Sequence, residues 1–395
     1  MHLPFSLAGS SATRSLHSVR VAISPLAVIL FLLWHGSGAH SWAQETTSAP
    51  GTIYFVFGSD SSNPGIHIRT KTAYYRNSTF DLWRDPNRQT HRIFEPSFRN
   101  RYVDATGQPF RFTWWMQGGS LYRYATNTNV PYTSLMAIQW MRDLHQENLD
   151  RYGDEFTYHY HTWVWSDANG DGDYNWNQTP QYRDSRADFF KNLAEGLVEH
   201  DMFPVSFRSG WHFMDNDWQA DLDDWLPYAL HNAYPANAAG TPEPVNNIYV
   251  WKDAPATWVP FRPRADNYQL PGGSRGWNTR SKHFRGVTEA MIREIFEAAN
   301  SGIDQVPCIW SHVAEATFIE DLTRVFEIIE KVAADYPHIV YRYDTAVEAM
   351  QRWRGTTDDV PPVLSVTEIP EGDGIRLQVA SDEPLWQAQP FLGVR

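Results

Sequence analysis

Two histidines in an aromatic run are the first residues whose spacing indicates chemistry. His159 and His161 stand two positions apart in FTYHYHTWVW (156–165), a run that alternates like a β-strand. Side chains at positions i and i+2 of a strand point to the same side, so both imidazoles can face one metal ion. The pair alone is equally compatible with two hydrogen-bonded side chains on a strand face. A metal site therefore needs further ligands from elsewhere in the chain.

Ionisable residues follow three other predicted strands, each at the point where the strand ends. They are Asp60 after IYFVF (53–57), Arg208, His212 and Asp215 after FPVSF (203–207), and His312 and Glu315 after VPCIW (306–310). In α/β barrels the carboxyl ends of the strands meet on one face, where catalytic residues collect. We therefore predict that Asp60, His159 and His161 bind a divalent transition metal, zinc by preference, and leave open positions for water.

The side-chain chemistry of the strand-end residues predicts a role for each of them. His312 is the candidate general acid, because imidazole titrates near neutral pH; a contact with a helix N-terminus is the alternative. Asp60 or Glu315 is the candidate base that takes a proton from water. Arg208 would orient a carboxylate or hold substrate, and a structural ion pair is the alternative.

A second cluster, DANGDGD (167–173), follows the histidines six residues later. Its oxygen-bearing residues alternate with glycines: Asp167, Asn169, Asp171 and Asp173. This spacing matches the start of a calcium-binding loop, but Gln178 stands where the chelating glutamate would be. Asp, Asn and Gly also form turns without an ion. The cluster is therefore a structural calcium loop or a solvated turn, separate from the histidine site.

The aromatic content points towards carbohydrate. The chain has 18 Trp, 19 Tyr and 21 Phe, and aromatic faces stack on the C–H faces of sugars, although large cores also use aromatics. The predicted substrate contacts are Trp114, Trp115, Trp163, Trp211, His212 and Asp215. The single cysteine, Cys308, excludes an intramolecular disulfide, and its apolar neighbours predict a buried residue, not a nucleophile.

Strand and helix patterns alternate about seven times between residues 53 and 354. Compact apolar runs predict strands at 53–57, 111–115, 155–165, 203–207, 306–310 and 338–343, with a shorter candidate at 248–251. Helical spacing predicts helices at 135–149, 218–231, 317–335 and 345–354, and two more that begin after Ser185 and Thr288; Ser134 is the possible cap of the first. Residues 252–285 are predicted to form a long loop. This rhythm predicts an α/β fold, an irregular (β/α) barrel of about seven parallel strands.

The two ends of the chain differ from this barrel segment, 52–354. Residues 1–43 contain Arg14 and Arg20, no Asp, Glu or Lys, and the ten-residue apolar run PLAVILFLLW. That layout predicts a signal peptide, and the run is shorter than the roughly 20 residues of a membrane-spanning helix. Residues 355–362 read as a linker, and 363–395 as a short or truncated β module with a hairpin turn at 371–374.

Charge narrows the class of partner. Loss of residues 1–43 removes two arginines, which takes the formal net charge from −13 to −15. Nucleic acid and anionic membranes are poor partners for so acidic a chain, whereas a neutral or cationic glycan is compatible with it. We predict a protein that is exported, or held in the periplasm or cell envelope, with no membrane contact after leader cleavage. The sequence leaves the oligomeric state open.

The order of these residues resembles the polysaccharide deacetylase superfamily. GSD (58–60), the histidine strand, FRSGWHFMDN (207–216) and SHVAE (311–315) carry the resemblance over about residues 52–354. It implies a distorted (β/α) barrel, metal-dependent removal of acetyl groups from sugars, metal on Asp60, His159 and His161, an orienting Arg208 and an acidic His312.

The chain departs from that pattern at two points. The family usually has two adjacent aspartates in its first motif, where this chain has Asp60 between serines, and it spaces its histidines by four residues, not two. Another acid, Glu155, Asp215 or Glu315, would then supply the second carboxylate. The resemblance implies a secreted metal-dependent hydrolase acting on an acylated polysaccharide or glycan. A two-carboxylate glycoside hydrolase of the same barrel class and a non-catalytic carbohydrate-binding protein are the alternatives.

Overall fold

A computed structural model of the 395-residue chain shows how these segments are arranged. It describes residues 49–61, 68–69, 72–73, 87–118, 135, 137–240, 248–356, 360–387 and 391–393. The predicted leader (1–43), the helix cap at Ser134 and the side chain of Trp163 lie outside this part.

Seven parallel strands close into a barrel, as the sequence predicts. They are β1 (Ile53–Ser61), β2 (Thr113–Gly118), β3 (Glu155–Tyr160), β4 (Ser206–Ser209), β5 (Tyr228–Asn232), β6 (Trp277–His283) and β7 (Cys308–Ser311). Each strand pairs with the next, and β7 pairs with β1 to complete the ring. The irregularity is an eighth strand, β8 (Tyr341–Asp344), which pairs with the first half of β1, whereas the second half of β1 pairs with β2.

Six helices of nine or more residues accompany the barrel in the described part of the chain. They are α1 (Ala137–Tyr152), α2 (Arg186–His200), α3 (Asn216–Trp225), α4 (Glu289–Asn300), α5 (Phe318–Ala333) and α6 (Ala346–Arg354). Local sequence fixes several of their starts: Thr288 accepts a hydrogen bond from the Met291 amide, and Thr345 forms a capping box with Glu348. Each helix follows a strand along the chain. The last, α6, comes directly after β8 and lies across the amino end of the barrel, where Ala349 and Met350 pack with Val56.

Alternation along the strands separates two apolar layers. Outward residues such as Phe57, Trp114 and Tyr158 belong to a large cluster under the helices. Inward residues such as Trp115 and Trp310 fill the barrel itself. Strands covered on both faces read as continuous apolar runs, which explains why six of the eight strands were predicted from sequence.

Two barrel strands were not predicted. The segment 218–231 was read as one helix, but α3 ends at Trp225 and β5 begins at Tyr228. The predicted loop 252–285 contains β6, whose sequence WNTRSKH lacks a run of apolar residues. The candidate strand at 248–251 lies outside the barrel, where Ile248–Val250 pairs with Asn237–Ala239.

Smaller elements decorate the loops. Short antiparallel pairs join Ile68–Arg69 to Thr72–Ala73, Trp163–Ser166 to Asn175–Gln178, and Pro263–Arg264 to Asn267–Pro271. Single helical turns lie at Gln89–Phe94, Pro96–Arg99, Tyr182–Asp184, Gly210–His212 and Phe284–Gly286. The predicted carboxy-terminal hairpin is present as β9 (Leu364–Glu371) and β10 (Gly374–Ser381). Among the described residues, no helix is long and apolar enough to cross a membrane.

A buried ion pair locks the loop between β1 and β2 to the start of β3. Arg99 donates to both carboxylate oxygens of Asp154, at 2.8 and 2.5 Å, and to the carbonyl of Phe110. Asp154 also accepts from the Phe112 amide and the Trp114 indole. These partners compensate the cost of burying two charges, so the pair specifies how the strand ends meet.

Candidate active site

A buried carboxylate–guanidinium pair lies inside the carboxyl end of the barrel. Asp60, near the end of β1, accepts from Arg208 Nε at 2.6 Å and Nη2 at 3.2 Å. The remaining Arg208 Nη1 donates to the Leu230 carbonyl at 2.6 Å. The guanidinium also lies 4.0 Å from the centre of the Trp310 ring and 5.4 Å from that of Trp115. Three strands and two aromatic rings therefore fix the orientation of Asp60.

This environment keeps Asp60 ionised. Burial alone raises the pKa of a carboxyl group, but the adjacent Arg208 guanidinium, helped by His159 and His312, brings the pKa of Asp60 down to about 2. The structure thus brings together Asp60, His159 and His312, which the sequence singled out, and Arg208, the arginine expected to orient a carboxylate.

The hydrogen bonds of His159 define which of its ring nitrogens is free to bind a ligand. Its Nδ1 lies 2.9 Å from the carbonyl oxygen of Arg208, an atom that can only accept, so Nδ1 carries the proton and Nε2 has the lone pair. Burial lowers the pKa of His159, which favours this neutral form. A backbone carbonyl on Nδ1 is the arrangement that orients metal-binding histidines.

His161 lies just beyond β3, next to His159. The two ring centres are 4.8 Å apart with an angle of 88° between the planes. A Cβ atom added to Gly210 would lie 2.2 Å from His161 Cγ, so the imidazole occupies space that only glycine leaves open. Trp211 packs edge-on against the same ring at 4.8 Å.

The turn after β4 has an unusual backbone. Trp211 and His212 have φ angles of 50° and 58°, a region that non-glycine residues rarely adopt and that costs about 1–3 kcal/mol per residue. The turn directs His212 Nδ1 to the His231 carbonyl at 3.1 Å, and the Trp251 indole donates to the His212 carbonyl at 2.7 Å. Burial lowers the pKa of His212 to about 3, so it is neutral. Such strain is typical of functional sites.

Glu315 forms a second cluster with two histidines at the same end of the barrel. Its Oε1 lies 2.8 Å from His312 Nδ1 and 3.0 Å from His283 Nε2, and its Oε2 accepts from Arg285. Trp310 connects the two clusters, because its ring centre lies 5.0 Å from that of His283 and 5.2 Å from that of His312.

The ligand atoms of His283, His312 and Glu315 all lie within 4.8 Å of one another, the only such group in the described part of the chain. Two imidazoles and a carboxylate suit a catalytic zinc ion. However, His283 Nδ1 accepts the Arg285 backbone N–H at 3.2 Å, so the proton of neutral His283 is on Nε2 and points at Glu315. In this arrangement the group is a hydrogen-bond network, and binding an ion there requires His283 to change tautomer.

Several sequence-predicted residues lie away from the site. Asp215 caps α3, accepting from the Trp218 amide at 2.8 Å and the Tyr182 amide at 2.7 Å. The alternative acid Glu155 lies at the amino end of the barrel, where it accepts from Ser206 and the Val347 amide. Trp114 cannot stack on a sugar, because its ring is fully buried under the helices. Trp115 is also buried, inside the barrel beside Arg208.

The DANGDGD cluster is an exposed hairpin loop between Trp163–Ser166 and Asn175–Gln178. Asp167 accepts from the backbone amides of Gly170, Asp171 and Gly172. Side chains of Asn169 and Asp171 accept from the amides of Asp171 and Asp173. The loop is thus closed by its own side chains, and calcium binding stays a prediction.

Two residues of the barrel mouth were missed in the sequence. His283 ends the unpredicted strand β6, so no pattern marked it as a strand-end residue. Gln117 lies in β2, in register with His159 on β3. A period-2 reading of RFTWWMQ would have placed it on the same face as Trp115.

No protein-family model and no curated protein matches the chain. Among solved structures, it resembles a Parabacteroides distasonis protein provisionally named a glycoside hydrolase/deacetylase, with 14% identity, a TM-score of 0.44 and coverage of 82% of this chain and 76% of the other. A Mycobacterium smegmatis protein provisionally named a polysaccharide deacetylase gives 14% identity, a TM-score of 0.44 and coverage of 80% and 99%. The likeness in sequence is distant.

Proposed function

We propose that this chain is a hydrolase that removes acyl groups from a polysaccharide or glycan with the help of a divalent transition metal. The observation that carries the proposal is the mouth of the barrel. It holds an ionised Asp60, a neutral His159 with a free Nε2 lone pair, and a His312–Glu315 pair suited to proton transfer. Together they supply an anion, a metal-competent imidazole and an acid–base group.

Asp60, His159 and His161 are the residues proposed to hold the metal, which we expect to be zinc. The donor states suit zinc, because His159 presents Nε2 and Asp60 stays ionised. The donor atoms of the three residues do not all lie within 4.8 Å of one another in the structure, so binding an ion there requires their side chains to move together. When bound, such an ion polarises the acyl carbonyl and lowers the pKa of a water molecule. Arg208 engages both Asp60 oxygens, so Asp60 would contribute a lone pair that the guanidinium leaves unused.

The protein groups divide the proton transfer between them. With a pKa of about 2, Asp60 is too weak a base to keep a proton, so its role is to bind and orient the attacking water. His312 donates Nδ1–H to Glu315, which leaves Nε2 to accept the proton that the water loses. Glu315 stabilises the resulting imidazolium, which then protonates the leaving amine or alcohol. Burial lowers the pKa of His312 to about 4, so it starts neutral and acts as base before acid.

The two-carboxylate glycosidase alternative has less support. It needs a second carboxylate facing Asp60. Asp215, one of the acids considered for that role, instead accepts the backbone amides of Tyr182 and Trp218 with its two oxygens. A non-catalytic sugar-binding protein would not need the His312–Glu315 pair. Export to the cell surface or envelope is part of the proposal and rests on the leader at 1–43.

Metal content measured by mass spectrometry tests the proposed site. We expect about one transition-metal ion per purified chain. The ion should be lost in His159→Ala/His161→Ala and kept in His283→Ala, a matched control from the same end of the barrel. Loss in His283→Ala with retention in the double variant would place the ion on the second cluster. No transition metal in the wild type, even after loading, would contradict metal dependence.

Acetate release from acetylated glycans tests the reaction itself. We expect release by the metal-loaded wild type and a loss of at least about 100-fold in His312→Ala, the loss typical of removing an acid–base group. A metal-loaded chain that releases no acyl group from any acetylated glycan would refute the proposed function. Cleavage of the glycosidic bond instead would favour the glycosidase reading.

A further inference from the structure

We infer that Gln117 reads the acyl linkage of the substrate and makes the enzyme select N-acyl over O-acyl groups. This inference rests on the proposed function and adds a specificity-determining residue to it. The residue follows Trp114, Trp115 and Met116 on β2. Nothing in the composition or motifs of the sequence marks it.

The side chain of Gln117 faces the barrel interior. Its neighbours Trp114 and Met116 belong to the outer apolar layer, and Trp115 belongs to the inner one. Because side chains alternate along a strand, Gln117 points inward with Trp115. On the adjacent strand its register partner is His159, which places the carboxamide beside the group proposed to bind the metal.

The carboxamide oxygen of Gln117 lacks a hydrogen-bond partner. The residue is 2% exposed, and Oε1 is buried with no donor among the described residues. Three inward-facing neighbours are engaged elsewhere: Asp60 with Arg208, His159 with the Arg208 carbonyl, and Thr157 with the Ser206 carbonyl. The indole N–H of Trp115, two residues before Gln117, makes no hydrogen bond to Oε1. An unpaired buried acceptor is costly, so its persistence at the mouth is explained if a ligand brings the donor.

An acyl amide brings that donor and an acyl ester does not. The linkage must lie next to the metal-binding residues for hydrolysis, and Gln117 is adjacent to them. The N–H of an N-acyl sugar can donate to Oε1, whereas the ester oxygen of an O-acyl sugar would face the carbonyl with no proton between them. A site built to pair with an N–H discriminates strongly against the analogue that lacks it.

Matched substrates and a matched control test this inference. The substrates are chito-oligomers carrying N-acetyl groups and the same backbone carrying only O-acetyl groups, with each kcat/KM divided by the uncatalysed rate. Gln117→Met keeps the volume and removes the acceptor. Gln219→Met is the control, because Gln219 is also buried with an unpaired Oε1 but lies on α3, outside the barrel.

We expect Gln117→Met to lower kcat/KM for the N-acetyl substrate about 10- to 100-fold and to leave the O-acetyl substrate within about twofold. Gln219→Met should leave kcat/KM unchanged for both the N-acetyl and the O-acetyl substrate. An equal loss for both substrates would mean contact with a sugar hydroxyl or the acyl oxygen, and no loss would mean that water satisfies Oε1; either result overturns the inference.

Binding separates failure of this inference from failure of the proposed function. Calorimetry with the two glycans needs no turnover. If the metal-loaded wild type hydrolyses neither these nor any other acetylated glycan, the proposed function fails, yet a selective loss of N-acetyl affinity in Gln117→Met would still support the contact. Equal affinity of the wild type for both glycans, together with no selectivity in turnover, refutes the role of Gln117.

Discussion

At the scale of single residues, the Asp60–Arg208 pair contributes both to the stability of the fold and to the chemistry of the proposed site. Both side chains are buried, and each is the main compensation for the other's charge. Removing one partner leaves an uncompensated buried charge, which costs about 3–5 kcal/mol, whereas replacing both by neutral groups often costs little.

We therefore predict that Arg208→Met lowers the free energy of unfolding by about 3–5 kcal/mol, and that the double variant Asp60→Asn/Arg208→Met recovers more than half of this loss. Urea unfolding of the wild type, both single variants and the double variant gives the coupling energy. Acyl hydrolysis should remain absent in the double variant, because the anion that orients water is gone. Additive losses would show that the two charges do not compensate each other.

The sequence identified much of this cluster because the residues follow apolar strands. Asp60, Arg208 and His312 come directly after or near the end of runs that bury easily recognised side chains. Gln117 was missed because it ends an aromatic run whose two faces both look apolar. Spacing also could not show which ring nitrogen of His159 or His283 is protonated, since that depends on a backbone carbonyl of another strand for His159 and on the backbone N–H of the following turn for His283.

At the scale of elements, the two missed strands have different causes: β5 was merged with α3 into one predicted helix, and β6 lacks an apolar face. The inward positions Thr279, Ser281 and His283 of β6 approach the polar mouth, so the strand has no apolar stripe on that face. In the described residues between β5 and β6, no helix covers β6 from outside; instead the Trp258 ring packs over Arg280, a polar residue with a long apolar stem. Periodicity detects amphipathic or fully apolar elements, and β6 is neither.

A histidine pair couples two other elements in a pH-dependent way. His91, in the turn Gln89–Phe94, contacts His145 on α1 through ring nitrogens, so one nitrogen must donate and the other accept. The His145 ring also stacks on Phe94 at 4.2 Å. Burial, with a smaller effect of His91, lowers the pKa of His145 to about 4. The folded state therefore favours neutral His145, whereas the unfolded chain protonates it near pH 6.5.

From this we predict a loss of stability in acid that His145 specifically causes. The contribution of neutral His145 is complete above about pH 6.5 and falls as the pH drops towards 4, because only the unfolded state gains the proton in that window. His145→Gln keeps a hydrogen-bond partner for His91 and cannot titrate. Unfolding free energies at pH 8 and pH 4.5 should therefore differ less in the variant than in the wild type. Identical differences would show that His145 does not contribute.

At the scale of the whole molecule, the sequence predicted the closed parallel barrel but not where it is irregular. Alternating strands and helices are a local signal, and barrel closure follows from short connections. The insertion of β8 against the first half of β1, and of α6 across the amino end, depends on side chains far apart in sequence, such as Thr113 accepting from the Ala346 amide. Such long-range contacts produce no periodic pattern in the sequence.

The carboxy-terminal segment has two parts that differ in how much they contribute to the stability of the molecule. The hairpin β9–β10 is solvent-exposed on both faces, with Val366 and Ile375 at 60% and 64% exposure, and an isolated two-stranded hairpin adds little stability. The segment after it returns to the barrel helices. Phe391 packs against Phe190 and Trp225, with ring centres 6.1 and 5.3 Å away.

We predict that replacing residues 364–381 by a Gly-Ser link changes the free energy of unfolding by less than about 0.5 kcal/mol, whereas Phe391→Ala alone lowers it by about 1–2 kcal/mol. The link is geometrically simple, because Val363 and Asp382 are already hydrogen-bonded to each other. Urea unfolding of the three proteins measures both effects. A hairpin deletion as costly as Phe391→Ala would mean that the hairpin packs on the barrel in solution, since exposed strands have no other means of stabilising it.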